Sequence, residues 1–134
     1  MRNFFAMPGI LKILTAMGFF PLVWVVASLA NDVNVFGKQI SAPNWWESGA
    51  GYYCLFVALI MGGSSILMLY RSRYGRLAHI VGWLTMTTAA VFGAYLAKVP
   101  YSSFMPPIMG NVALTGCIAL YLYLSKSTKD YFRD

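Results

Sequence analysis

Long runs without charged residues alternate along the chain with short polar segments. Four such runs stand out, at 13–30, 48–70, 77–97 and 99–125. A helix needs about 20 residues to cross the roughly 30 Å hydrocarbon core of a bilayer, and all four runs are about that long or longer. The pattern therefore predicts an all-α membrane protein, a four-helix transmembrane bundle that forms a single integral membrane domain over residues 1–134.

Prolines refine the expected limits of the spans. Pro100, Pro106 and Pro107 fall at the start of the last run. Proline suits the first turn of a helix and disrupts its interior, so we expect the last helix to begin near Pro107. The predicted spans are thus about 13–30, 48–70, 77–97 and 107–125. Pro21 predicts a bend within the first span.

Composition agrees with a protein whose solvent is mostly lipid. The chain is 59% hydrophobic and 10% charged, whereas an average soluble domain is about 25% charged. The net charge of +6 does not indicate nucleic acid, because the basic residues lie between apolar runs and form no stripe interleaved with aromatic residues. We therefore expect the lipid bilayer, and no nucleic acid, among the partners.

The distribution of Lys and Arg predicts the orientation. Short loops that carry these residues tend to stay in the cytoplasm. Two basic residues, Lys38 and Lys98, lie on one side of the predicted membrane. Eight lie on the other: Arg2, Lys12, Arg71, Arg73, Arg76, Lys126, Lys129 and Arg133. Both termini are therefore expected in the cytoplasm, and the loop 31–47 is expected on the outer face.

The first run also resembles a secretory signal peptide. It has a basic start, an apolar stretch, and the small residues Ser28 and Ala30 just before Asn31. Its length and the bulky Trp24 favour retention as a membrane span. Cleavage would leave three helices with the same topology.

The loop at 31–47, "NDVNVFGKQISAPNWWE", is longer than a helix–helix connection requires. Its segment "VNVFGKQIS" predicts a short hairpin around Gly37. The following stretch "NWWESGAGYY" is typical of a membrane interface, because Trp and Tyr keep their rings in lipid and their polar atoms in water. Glu47 is expected to be solvated there, near the start of the second helix.

A ligand site at the outer face is the alternative interpretation of this stretch. It requires the loop to fold back over the helices and enclose the aromatic residues, which beside a carboxylate would suit a cationic group. The candidate ligand-binding residues are Asp32, Trp45, Trp46, Glu47, Tyr52 and Lys98.

Catalytic groups are sparse. Asp32 and Glu47, the carboxylates of the outer loop, are fifteen residues apart and belong to no motif. His79 is the single histidine; we expect it at the cytoplasmic start of the third helix, as an interfacial residue away from Ser64 and Ser65. No cluster of metal-ligating residues is apparent. We therefore expect no catalytic residues, no metal, no cofactor and no enzymatic activity.

The spans contain no Asp, Glu, Lys or Arg. Ion-coupled carriers usually place such a residue within the membrane, so the sequence disfavours a carrier. Small residues recur at every fourth position instead. These candidate helix-packing residues are Ala58, Gly62, Ala89, Gly93 and Ala97. Such spacing lets helix backbones approach closely, within the bundle or against another membrane protein or a second copy.

The second half of the chain shows a looser likeness. A basic loop with aromatic residues, "LYRSRYGR", precedes a span, a proline-bearing loop and a last helix that closes on "ALYLYLSKSTKDYF". Over roughly residues 51 to 133 this arrangement is similar to that of many small four-span bacterial inner-membrane proteins. The resemblance implies a multi-pass protein of the bacterial inner membrane and implies no activity.

Two functional hypotheses follow. The first is a non-enzymatic multi-pass protein that acts through protein or lipid contacts, as an accessory or assembly subunit, a regulator or an immunity-type protein. The second is a small-molecule or lipid binder or carrier with its site at the outer face around Glu47.

Overall fold

A computed structural model describes residues 2–132 of the chain. It is mostly helical, at 78%. Four helical segments are long and apolar enough to cross a membrane: Gly9–Ala27, Ala50–Leu69, Arg73–Leu96 and Tyr101–Leu124. The elements in chain order are α1 (Arg2–Ala6), α2 (Gly9–Met17), α3 (Phe20–Ala27), β1 (Val33–Val35), β2 (Lys38–Ile40), α4 (Ala42–Glu47), α5 (Ala50–Leu69), α6 (Arg73–Leu96), α7 (Tyr101–Leu124) and α8 (Lys126–Tyr131).

The first span is interrupted between α2 and α3, at Gly18 and Phe19. Pro21 follows in the first turn of α3, so the interruption falls beside the residue at which a bend is predicted. A Cβ atom on Gly18 would collide with the Ser65 hydroxyl of α5. Glycine at this position therefore allows the backbone of the first span to lie against α5.

Helix α5 is at the centre of the packing. The helices α2, α3 and α6 each pack against α5, α7 packs against α6, and α8 packs against α7. The main core contains buried residues from the N-terminal segment, α5, α6, α7 and α8, including Leu11, Met61, Met68, Trp83 and Leu122. This core buries aliphatic, sulfur-containing and aromatic side chains between spans whose outer faces remain apolar.

The connection between α5 and α6 is tight. Arg71 adopts a left-handed conformation with φ of 58°, and the Ser72 amide donates to the Leu67 carbonyl at 2.9 Å. A Cβ atom on Gly75 would lie 2.9 Å from the backbone nitrogen of Met68. Only glycine lets the two helices approach this closely at the turn. We call this side of the molecule, with Arg71, Arg73, Arg76 and α8, the arginine end.

The last span begins earlier than predicted. α7 begins at Tyr101, and Pro106 and Pro107 lie inside it, so the expected start near Pro107 is wrong. Pro100 precedes the first turn with φ of −59° and accepts a hydrogen bond from the Ser103 amide at 2.9 Å. The helix therefore starts at the first of the three prolines and tolerates the other two, as membrane helices often do.

The predicted hairpin is present at the opposite side, which we call the hairpin end (β1, β2 and α4). Val33 pairs with Ile40, and Val35 pairs with Lys38, in an antiparallel ladder. The two turn residues, Phe36 and Gly37, have φ values of 48° and 85°, as a type I′ hairpin turn requires. The buried side chains of Val33 and Val35 pack with Trp45 in a second, smaller core.

Candidate functional site

The residues predicted for an outer-face site have different surroundings. Asp32 is exposed, and its carboxylate accepts a hydrogen bond from the Ala42 amide at 3.2 Å; it fastens the hairpin to α4. Glu47 is exposed at the end of α4, and its carboxylate has no hydrogen bond or ion pair among the described residues. Tyr52 and Lys98 are exposed as well. A site centred on Glu47 remains a prediction.

The two adjacent tryptophans of α4 take different roles. Trp46 lies on Gly51, contacts Tyr52 edge-to-face at 5.3 Å between ring centroids, and donates its indole N–H to the Ser28 carbonyl at 3.0 Å. Trp45 points inward, is 2% exposed, and contacts Trp24 of α3 edge-to-face at 5.9 Å. Trp45 therefore belongs to the interior under the hairpin, whereas Trp46 ties α4 to α3 and α5.

The small residues predicted for helix packing are all buried or half-buried. In α5, Ala58 is fully buried and Gly62 faces Leu22 of α3. In α6, a Cβ atom on Gly93 would lie 3.4 Å from the Trp45 ring and 3.5 Å from Val35. Ala97 packs on the same small core. The small residues of α6 therefore allow the hairpin and Trp45, as well as the neighbouring helices, to pack closely against α6.

A cavity of about 320 Å³ lies beneath the hairpin. Its floor is α5, its walls are α3 and α6, and β1 with Trp45 closes one end. The lining residues are Phe20, Pro21, Trp24, Val25, Asn34, Val35, Phe36, Trp45, Cys54, Val57, Met86, Ala89, Ala90 and Gly93. This volume is within the range of roughly 300–1,000 Å³ that is usual for small-molecule sites.

Nearer the arginine end, the interior contains a chain of hydrogen bonds. The indole nitrogen of Trp83 lies 3.1 Å from Nε2 of His79. Nδ1 of His79 lies 3.0 Å from the Ser64 hydroxyl, which donates to the Met61 carbonyl at 2.7 Å. His79 is fully buried and contacts Ser64, so the predicted separation of His79 from Ser64 is wrong. α6 begins at Arg73, and this start places His79 inside the helix and opposite α5.

The direction of these bonds limits their chemistry. An indole nitrogen can only donate, so Nε2 of His79 must accept, and the hydrogen of the neutral ring sits on Nδ1 and points to Ser64. A base that activates Ser64 would need the opposite tautomer, with a lone pair on Nδ1. That tautomer would set two N–H groups against each other at Trp83. The arrangement therefore resembles a Ser–His pair in its contacts but not in its proton positions.

Other polar groups in the spans form cross-helix bonds. Asn111 of α7 donates to the Thr87 hydroxyl of α6 at 2.7 Å, and Thr87 donates to the Trp83 carbonyl at 3.0 Å. The hydroxyls of Tyr53 and Thr88 are 2.6 Å apart and join α5 to α6. Sequence reasoning passed over Asn111, although a lone amide within a span is itself a signal of such a bond.

At the arginine end, guanidinium groups lie over aromatic rings. Arg76 lies 5.0 Å from the centroids of both Tyr123 and Phe132, and Arg71 lies 5.0 Å from that of Tyr131. Tyr131 also donates its hydroxyl to the Met68 carbonyl at 3.3 Å. Burial raises the pKa of Tyr131, while the charge of Arg71 and a hydrogen bond to it lower that pKa by less. These contacts dock α8 onto the α5–α6 turn.

Within residues 2–132, no three His, Cys, Asp or Glu side chains are placed to hold a metal ion together. Comparison with known proteins gives no further constraint, since no protein family, curated protein or solved structure matches the chain. The class that the fold defines is a mostly helical protein with four segments able to span a membrane.

Proposed function

We propose that this is a non-enzymatic multi-pass protein of the bacterial inner membrane. It acts through contacts with another membrane protein or with lipid, as an assembly subunit, a regulator or an immunity-type protein. The observation that carries the proposal is the hydrogen-bond chain at His79. These hydrogen bonds hold His79, the single histidine of the sequence, against Ser64 and Trp83. In the tautomer that Trp83 requires, His79 cannot accept the proton of Ser64.

The distribution of charge supports an orientation with both termini in the cytoplasm. Arg71, Arg73 and Arg76 gather at the arginine end with the lysines of α8, while the hairpin end carries Lys38. Basic residues beside spans favour the cytoplasmic side and its anionic lipids. A fluorescent reporter that folds only in the cytoplasm should therefore be active when fused after residue 134. An exported phosphatase fused there should be inactive, and the reverse pattern would overturn the orientation.

The exposure of α7 supports a role in contacts. The most apolar stretch of α7 is 17% buried within the protein, whereas the corresponding stretches of α5 and α6 are each 39% buried. Gly110 and Gly116 have open space where a side chain would be. An exposed span with such positions can receive a neighbouring helix closely, because van der Waals packing drives helix association in lipid.

The test is purification of a tagged chain from native membranes in mild detergent, followed by identification of what accompanies it. We expect a membrane protein at a fixed stoichiometry. Gly116→Leu should release it by obstructing α7, whereas Gly63→Leu, at an equally open position on α5, should retain it. A homogeneous lone monomer that turns over a substrate would overturn the proposal.

The second candidate, a binder at the outer face, is supported in a changed form. Glu47 is exposed and engages no other described residue, but Trp45, from the same predicted set, lines the cavity beneath the hairpin. The cavity, rather than the Glu47 region, is the place where a ligand would be enclosed.

A further inference from the structure

We infer that the cavity beneath the hairpin holds one acyl chain of a membrane phospholipid. The inference rests on the proposed location in the membrane and specifies one of the proposed lipid contacts. Its starting point is the position of the cavity, whose walls and floor are α3, α5 and α6. All three belong to segments able to span a bilayer, so the cavity lies among residues that face hydrocarbon.

The lining determines the polarity of the occupant. No Asp, Glu, Lys, Arg or His from the part of the chain described by the structure lines the cavity, and its few polar members include Asn34 and Cys54. Because the described lining contains no charged side chain, a charged ligand would lose its hydration there without meeting an opposite charge. The occupant must therefore be uncharged and apolar where it enters the protein.

The rim indicates where the occupant comes from. Phe20 is 68% exposed and Trp24 is 38% exposed on α3, and the half-buried Ala90 faces the cavity from α6. The groove between these two helices therefore opens sideways, toward the region that lipid fills around a membrane protein. Trp24 stacks edge-to-face on Trp45, which joins the rim to the closed end under the hairpin.

The arrangement of the lining favours an acyl chain over a partner helix. The lining comes from α3, β1, α4, α5 and α6 together, so a helix about 10–12 Å across could enter only by separating these elements. A flexible hydrocarbon chain is much thinner and can follow the groove. An acyl chain in the cavity gains van der Waals contacts with the lining that an empty cavity would lose.

The main experiment compares bound phospholipid by native mass measurement of the full chain, purified in mild detergent with added phosphatidylethanolamine. Wild type should retain one phospholipid at a fixed stoichiometry. Ala90→Phe should lose it, because the ring blocks the rim. The matched control Ala113→Phe, on an exposed position of α7, should retain it. Equal retention by Ala90→Phe and wild type would overturn the inference.

A second measurement leaves the cavity of the tested variant unchanged. Cys54 lines it, and Cys117 is exposed on α7. In Cys117→Ser protein, added phospholipid should slow alkylation of Cys54 by N-ethylmaleimide at least five-fold. In Cys54→Ser protein the rate at Cys117 should change little. Equal effects at the two cysteines would contradict an acyl chain in the cavity. If the lipid measurements fail while a membrane protein still co-purifies, only the inference about the cavity is overturned. If no membrane protein co-purifies while the lipid measurements succeed, only the proposed function is affected.

Discussion

The indole N–H of Trp83 donates to Nε2 of His79 at 3.1 Å, and this one bond fixes the proton positions of the buried chain. Trp83→Phe removes the donor and leaves the imidazole acceptor buried without a partner. The two residues lie one turn apart on α6, and an intramolecular hydrogen bond typically contributes about 0.5–1.5 kcal/mol net, with a larger loss where a buried partner stays unpaired. We expect the free energy of unfolding in mixed micelles to fall by about 0.5–2 kcal/mol. Trp24→Phe removes the indole of an exposed tryptophan and should cost less; equal losses would contradict the assigned role of Trp83.

The neighbours Ser64 and Ser65 should respond in opposite ways to alanine. Both are buried, but Ser64 lies between His79 and Met61, whereas the Ser65 hydroxyl has no hydrogen-bond partner. Ser64→Ala leaves a buried N–H of His79 unpaired and should cost about 1–3 kcal/mol. Ser65→Ala removes an unpaired hydroxyl and should leave stability unchanged or raise it. Equal destabilisation by the two variants, in the same denaturant titration, would show that the hydrogen-bond chain does not set the difference.

A methyl group at the α5–α6 turn should be far more damaging than one on α7. In Gly75→Ala, the new Cβ atom would meet the backbone of Met68 and Leu67 at 2.9–3.0 Å, and backbone cannot move aside as a side chain can. We expect a loss of about 1–3 kcal/mol in unfolding free energy. Gly116→Ala meets open space and should gain up to about 1 kcal/mol from helix propensity. A neutral Gly75→Ala would mean that the helices are not in contact there.

Docking of α8 should weaken at alkaline pH through Tyr131. Because burial raises its pKa, the folded state favours the neutral phenol. This contribution is complete below the ordinary tyrosine pKa of about 10 and is lost as the pH rises through the folded value. Wild type should therefore lose stability relative to Tyr131→Phe above about pH 10. The measurement is unfolding free energy against pH for both proteins, and a difference that is constant with pH would contradict this account.

Glu47→Gln should be silent. The side chain is exposed and, among the residues described, has no partner, and surface substitutions of this kind usually change stability by less than about 0.5 kcal/mol. We also expect the same co-purifying protein and the same bound lipid as in wild type. Loss of either in Glu47→Gln protein would return the outer-face site to consideration.

The spans and the hairpin could be predicted because each rests on local pattern. Uninterrupted apolar runs determine the helices, and the glycine within "VNVFGKQIS" allows the turn at Phe36 and Gly37. The starts of the helices were less predictable. Helix α6 begins at Arg73, before its apolar run, and α7 begins at Tyr101, before Pro106 and Pro107. The early start of α6 is also the reason that the pairing of His79 with Ser64 was missed.

The cavity could not be predicted from local pattern at all. It depends on Trp45 turning inward beneath the hairpin while the adjacent Trp46 turns to Ser28. The two residues have the same chemistry and neighbouring positions, so the sequence offers no signal that separates them. Their difference arises from the rotation of α4 relative to α3 and α5.

The central claim is that this protein acts by contact and not by chemistry of its own. The most direct test is native mass measurement of the chain extracted from its own membrane into lipid discs without detergent. We predict that, beyond the lipids of the disc, a stoichiometric membrane protein adds a discrete mass to the 14.9 kDa of the chain. The chain surrounded by disc lipid alone, with no protein partner, would contradict the account.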